Sequence, residues 1–220
     1  MKRTTFWGRV APELWAVVTL VTAAFIAPTH AAETGWYAGV DLGRSILPDV
    51  GGDDASLNGF LLTNTDTDQS GQLWAARLGF RFSKYFSMEA GYLDLGESTA
   101  KFVNATAPVD ATVSFGARGP TVAFIPSYPF GRWEPFLKVA MLWQHVDADV
   151  RGTLPGPAGA FRVGATEEGM KVFWGTGVRF NFNEHWHAKL ELNWFGQLGD
   201  EEPTGEGSAI ASSLGAAYRF

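Results

Sequence analysis

Three short patterns in the sequence carry residue types that could do chemistry. Asp66-x-Asp68-x-Ser70-Gly71 has the opening ligand spacing of a calcium loop, which needs oxygen ligands at positions one, three and five, glycine at six and a bidentate Glu at twelve. Position twelve here is Arg77, a cation where the strongest anionic ligand should stand. The spacing His185-Trp186-His187 puts two imidazoles on one side if the strand begins that early, but two ligands are too few for a zinc site. His145 could serve as a general base, yet no serine lies near it in sequence to act as its nucleophile. We therefore expect no catalytic residue, no cofactor and no metal site.

The elements around these residues explain why. After Gly71, Trp74, Ala76, Leu78, Phe80 and Phe82 share one parity, while Ala75, Arg77, Gly79 and Arg81 share the other. That is period two, the mark of a strand with one apolar face, where a calcium loop would lead into a helix. The same alternation recurs from Trp36 to Gly43, Phe86 to Leu93, Val113 to Ala123, Leu137 to Gln144, Trp174 to Phe182, Trp186 to Trp194 and Ser213 to Phe220. These make eight strands with residues 72–82, and no segment shows a helical period. Connections alternate as well. Short turns fall at Ser83–Tyr85, Pro126–Trp133 and Asn183–His185, and long polar stretches near 46–70, 96–111, 146–170 and 196–209. An even number of strands, with short turns at one end and long loops at the other, predicts an all-β, eight-stranded antiparallel up-and-down transmembrane β-barrel.

Residues 1–31 are set apart from this pattern. Lys2, Arg3 and Arg9 precede an apolar run, Leu14–Ala27, and Thr29-His30-Ala31 supplies small residues before a cut. This is the layout of a signal peptide; the run is shorter than the ~20 residues a spanning helix needs. Its removal takes away Lys2, Arg3, Arg9 and Glu13, so the net charge moves from −6 to −8 and residues 32–220 form one barrel domain. An acidic exported chain is a poor binder of nucleic acid, which demands a basic surface. The absence of cysteine excludes a disulfide framework.

Which face is apolar decides between water and membrane. The charged face also carries Gly39, Gly43, Gly79, Gly91, Gly116, Gly177 and Gly215, and the opposite face carries Trp, Phe, Leu and Val. Eight strands enclose a narrow interior, so the small and polar residues are expected inside and the bulky apolar ones outside, facing lipid. Aromatic residues fall at two levels. Trp36, Tyr85, Phe86, Trp133, Trp186, Tyr218 and Phe220 gather toward the short turns, and Trp74, Tyr92, Trp143, Trp174 and Trp194 toward the long loops. Two belts are what amphipathic rings form where they meet headgroups.

The stretches GWYAGVDLGRS (35–45), ARLGFRFSKYFSMEAGYLDLGE (76–97), GTGVRFNFNEHWHAKLELNWFG (175–196) and SSLGAAYRF (212–220) resemble the outer-membrane protein A-like β-barrel family. The resemblance implies a small barrel in the outer membrane of a Gram-negative cell, without the peptidoglycan-binding domain of the larger members. It also implies that the terminal Phe220, with Tyr218 beside it, resembles the signal read by the barrel-assembly machinery.

By parity, Asp41, Arg77, Arg81, Glu89, Arg118, Lys138, Arg179, Lys189, Glu191 and Arg219 face inward. Enclosed charges must pair. Alignment of the inner faces across the Ser83–Tyr85 turn places Glu89 opposite Arg81 or one diagonal step away. The expected role is structural, a charge network filling the lumen, with outer-membrane lipids and lipopolysaccharide as partners. A rearranging gate that forms a narrow pore for ions or small solutes is the alternative, and hydrolysis of outer-membrane lipid through His145 a weaker one. The loop acids Asp49, Asp53, Asp54, Asp66, Asp68, Asp200, Glu201, Glu202 and Glu206 are expected to solvate the extracellular loops, or to meet a surface ligand or bridging cations.

Overall fold

A computed structural model describes residues 34–47, 54–57, 60–104, 110–154, 159–198 and 207–220; the proposed leader, residues 1–31, lies outside them. The regular elements are all strands: β1 (Gly35–Ile46), β2 (Asp54–Leu57), β3 (Phe60–Asp68), β4 (Ser70–Ser83), β5 (Phe86–Val103), β6 (Asp110–Pro126), β7 (Trp133–Leu154), β8 (Gly159–Asn181), β9 (Trp186–Leu198) and β10 (Gly207–Arg219). Every pairing is antiparallel. The ladders close a ring of eight, β1-β4-β5-β6-β7-β8-β9-β10 and back to β1. Closure leaves the ring without a free edge.

The ring's outer wall is apolar. Leu42 and Leu214 are 68% and 64% exposed, and Val40, Leu78, Leu137 and Leu190 stand out beside them. Inside, two kinds of residue fill the barrel. Charged side chains occupy the half nearer the short turns. Leu73, Leu93, Leu95, Phe115, Leu142, Val146, Phe173, Phe195 and Leu198 fill the other half, with Phe173 and Phe195 stacked at 4.5 Å. The expectation of a small and polar interior therefore holds for half of the lumen. Glycine makes room for the larger rings. Gly79 lies directly across from Tyr37 and Gly177 across from Phe136, and a Cβ on either glycine would run into the opposing ring.

Three differences from the sequence expectation have physical causes. First, the long connections are largely sheet. β2 and β3 form a hairpin within 46–70, β3 pairs with the upper part of β5, and β7–β8 pairing continues to Leu154 opposite Gly159. Along β7 the outward residues change from Leu137, Met141 and Trp143 to His145, Asp147, Asp149 and Arg151, while the inward ones become Val146, Ala148 and Val150. The polarity of the two faces inverts, and the inversion reads as the end of a strand.

Second, Gly96, at φ 76°, sits at a β-bulge between Asp94 and Glu97. The extra residue moves the inward set from Leu93 and Leu95 to Ser98, Ala100 and Phe102. Third, the faces of β6 are reversed. Phe115, Ala117 and Ala123, expected outside, are buried inside, and Arg118 stands outside. The lumen is apolar at this level, so β6 turns Phe115 and Ala117 inward and leaves its one cation on the outer surface.

Candidate functional site

The strands bring the inner charges together at the short-turn half of the barrel. Asp41 on β1 accepts a hydrogen bond from Arg77 on β4, and Lys189 on β9 approaches it at 3.4 Å. Glu89 on β5 accepts a 2.8 Å hydrogen bond from the Tyr37 hydroxyl and lies 3.4 Å from Arg77 Nε. On the far wall Glu191 takes Lys138 at 2.7 Å, Asn193 at 2.8 Å, and Lys189. Nearest the short turns, Glu134 on β7 accepts from Arg179 at 2.8 Å and from Arg81. The carboxylate of Glu134 is 0% exposed and the Arg81 guanidinium 1%. Period two explains the arrangement: Asp41, Arg77, Glu89, Lys138, Arg179, Lys189 and Glu191 are each a step of two from another inward residue on a ring strand.

Of the ten charges expected inside, the structure assembles eight into this network. Arg219 also points inward but makes no ion pair among the described residues. Arg118 does not belong. Its guanidinium bonds Asp147 at 3.0 Å on the outer surface, opposite His145 in register. Glu89 stands one diagonal step from both Arg77 and Arg81, yet pairs with Arg77, while Arg81 crosses the lumen to Glu134. Glu134 and Tyr37 were not among the expected members. Glu134 shares the parity of Lys138, four residues on, which is the signal that marks it; the strand begins at Trp133, earlier than its apolar face suggests.

The aromatic residues expected at two levels lie on the outer wall of the ring. Near the short turns, Trp36 contacts Phe80 at 5.0 Å, Trp133 contacts Phe180 at 4.6 Å, and Tyr218 lies between Trp186 and Phe220 at 5.1 and 5.5 Å. At the other end Trp74 stacks on Tyr92 at 5.7 Å, Trp174 is opposite Trp194 in register, and Trp143 is exposed.

The three patterns with chemical potential resolve locally. Asp68 accepts from the Ser70 amide at 2.9 Å and its hydroxyl at 2.7 Å, and Asp66 pairs with Lys101 at 3.3 Å. The stretch is a jog where β3 becomes β4. His185 lies in the turn before β9, with Nδ1 3.1 Å from the Arg219 carbonyl, while His187 is buried in the lumen. They do not share a side. His145 lies 3.2 Å from Glu168 and 3.5 Å from Asp147, so its partners are acids and the hydroxyl that acyl transfer would need is not among them.

Asp49, Asp53, Asp200, Glu201, Glu202 and Glu206 lie outside the described residues, and Asp54 falls in β2. The β7–β8 projection is described up to Leu154 and from Gly159. Arg162 holds Asp149 by hydrogen bonds of 2.9 and 3.0 Å, and Arg151 approaches at 3.6 Å. These bonds, followed by the charges of both arginines, hold the Asp149 carboxyl below the usual carboxylate range.

A closed eight-stranded antiparallel ring, apolar outside and charged within, defines the class of small outer-membrane β-barrels. A family model for the OmpA-like transmembrane domain matches residues 31–220, and the chain belongs to that family. It is an integral outer-membrane β-barrel protein. Among solved structures it is similar to OprG of Pseudomonas aeruginosa (11% identity, TM-score 0.49, covering 88% of this chain and 99% of that one). It is also similar to the N-terminal β-barrel domain of Pseudomonas aeruginosa OprF (10%, 0.45, 86% and 100%). A third is Ail of Yersinia pestis, solved in complex with the heparin analogue sucrose octasulfate (11%, 0.44, 86% and 99%). A search of curated protein sequences finds no match.

Proposed function

We propose that this barrel is a closed structural element of the outer membrane whose projecting hairpins serve as its interaction surface, with no enzymatic role. The observation that carries the reading is the stacking of two fillings in one narrow bore. A paired charge network occupies one half, and a packed apolar cluster the other. Residues 1–31 act as a cleaved export signal, Phe220 with Tyr218 engages the barrel-assembly machinery, and the two aromatic levels seat the wall among outer-membrane lipids and lipopolysaccharide. The acidic loops and the ion-paired outer face of β7–β8 meet solvent, bridging cations or a surface ligand. Planar-bilayer recording of the refolded protein tests closure, with no conductance as the expected result; steady open-channel current would overturn it. Binding to lipopolysaccharide that survives deletion of 146–170 would remove the hairpin from the interaction surface.

One observation favours a second reading, a gated pore. A cavity of about 30 Å³ lies among Asp41, Arg77, Glu89, Lys138 and Glu191, beneath Leu93 and Phe173, and gives the charged side chains room to exchange partners. Glu89→Ala removes the carboxylate that Arg77 and Tyr37 share. Current in this variant with none in the wild type would support the gate, and silence in both would rule it out.

A further inference from the structure

The inner charges do not balance along the bore. In its middle, Arg77, Lys138 and Lys189 face Asp41, Glu89 and Glu191, one carboxylate for each cation. At the short-turn end Arg81, Arg179 and Arg219 share a single inward carboxylate among the described residues, Glu134. Arg81 and Arg179 both bond its Oε1. Arg179 otherwise donates to Ser87 Oγ at 3.4 Å and lies 3.6 Å from Glu89, which Arg77 and Tyr37 already engage.

Arg219 stands opposite Tyr37 and one diagonal step from His187 on the inner face. It is half-buried, so it is the member of the group that the short-turn mouth can reach. Four ring or guanidinium nitrogens at this end are buried without a hydrogen-bond partner: Nε of Arg81, Arg179 and Arg219, and Nε2 of His187. Enclosed cations without counter-charge are strongly disfavoured. A guanidinium fork matches the geometry of an oxyanion, and imidazole can donate to one as well.

We propose that the short-turn mouth of the lumen is a binding site for a small oxyanion of the phosphate class, held by Arg219 with Arg81, Arg179 and His187 behind it. The excess of two positive charges over Glu134 sets the preference for a dianion. Three guanidinium groups supply the donors. The proposal does not depend on whether the lumen conducts.

The test is titration of the protein refolded in an uncharged detergent, in chloride buffer at constant ionic strength. Inorganic phosphate and glycerol 3-phosphate are added separately, the first representing free phosphate and the second a lipid headgroup. Calorimetry is expected to show one saturable equivalent, and the urea midpoint to rise with phosphate, as linkage requires of a ligand that binds the native state. Arg219→Gln should weaken binding at least tenfold. Arg219→Lys, which keeps the charge but loses the fork, should fall between. Heat-modifiable migration reports folding of each variant, and Arg44→Gln, an exposed cation on β1, should bind as wild type does. Binding of inorganic phosphate alone limits the site to the free ion, and binding of both admits a phosphate monoester; either supports the proposal. No saturable binding by the wild type, or equal affinity in folded Arg219→Gln, overturns it.

Discussion

At the residue scale, Glu134 is the point on which the interior depends most. One carboxylate oxygen serves two enclosed guanidinium groups, so removing its charge strands both. Removing one partner of a buried ion pair costs about 3–5 kcal/mol, and Glu134→Gln is expected to lower unfolding stability by that amount, measured as a shift of the urea midpoint in detergent. Glu97, on the bulged edge of β5, is outside this network, and its change to Gln should shift the midpoint little. The inner charges were largely legible because parity alone sorts a strand's side chains into two sets. Arg77, Glu89, Lys189 and Glu191 follow from that rule. Arg118 did not, because β6 carries Val, Phe and Ala on one face and Ser, Gly and Arg on the other, and the sequence cannot say that the bore turns apolar where β6 crosses it. Partner choice was also hidden. Period two brings Glu89 within a step of two arginines, and only the distance across the lumen sends Arg81 to Glu134.

At the element scale, the apolar filling and the projecting hairpin make separate predictions. Phe173→Ala removes a ring stacked on Phe195 and should cost about 3–5 kcal/mol, as other buried Phe truncations do. If the filling is what closes the bore, the same variant should pass current in a planar bilayer where the wild type does not. On the hairpin, Asp149 titrates below its unfolded value because Arg162 bonds it. A depressed carboxyl contributes order that is present above the unfolded pKa, about 3.9, and is lost as pH falls through the lower folded value. Amide protection in 147–166, taken relative to the intrinsic exchange rate at each pH, should therefore be unchanged from pH 7 to pH 5 and should fall below about pH 4, with the fall absent in Asp149→Asn. The ring strands were legible because their apolar face runs unbroken across the band. Their extensions were not, since Asp147, Asp149 and Arg151 occupy the face that Leu137 and Met141 hold lower down, and Gly96 shifts the phase of β5 by one residue.

For the whole molecule, the deciding quantity is the environment of the outer wall. Leu214 is more than half exposed, flanked in register by Leu42 and Leu190. A cation at the midplane of such a wall destabilises a barrel by about 2–4 kcal/mol, and near the interface by about 0–1. Leu214→Arg is thus expected to lower folding stability in lipid vesicles by the larger amount, and Thr153→Arg, on the projection, by none that a urea titration resolves. Equal effects would mean that the wall around Leu214 does not face hydrocarbon. Family membership reached the same architecture from the sequence model, because alternation, closure and aromatic placement are properties of the chain as a whole and survive where individual contacts do not.

The barrel's rim is uneven. β8 has 23 residues where its neighbour β9 has 13, and ten residues of strand at about 3.3 Å each stand roughly 30 Å beyond the lower side. With this end turned outward, as the proposed function has it, a large molecule landing from outside the cell would meet a palisade along one flank and a low sill along the other. Its angle of approach is set before any side chain touches it.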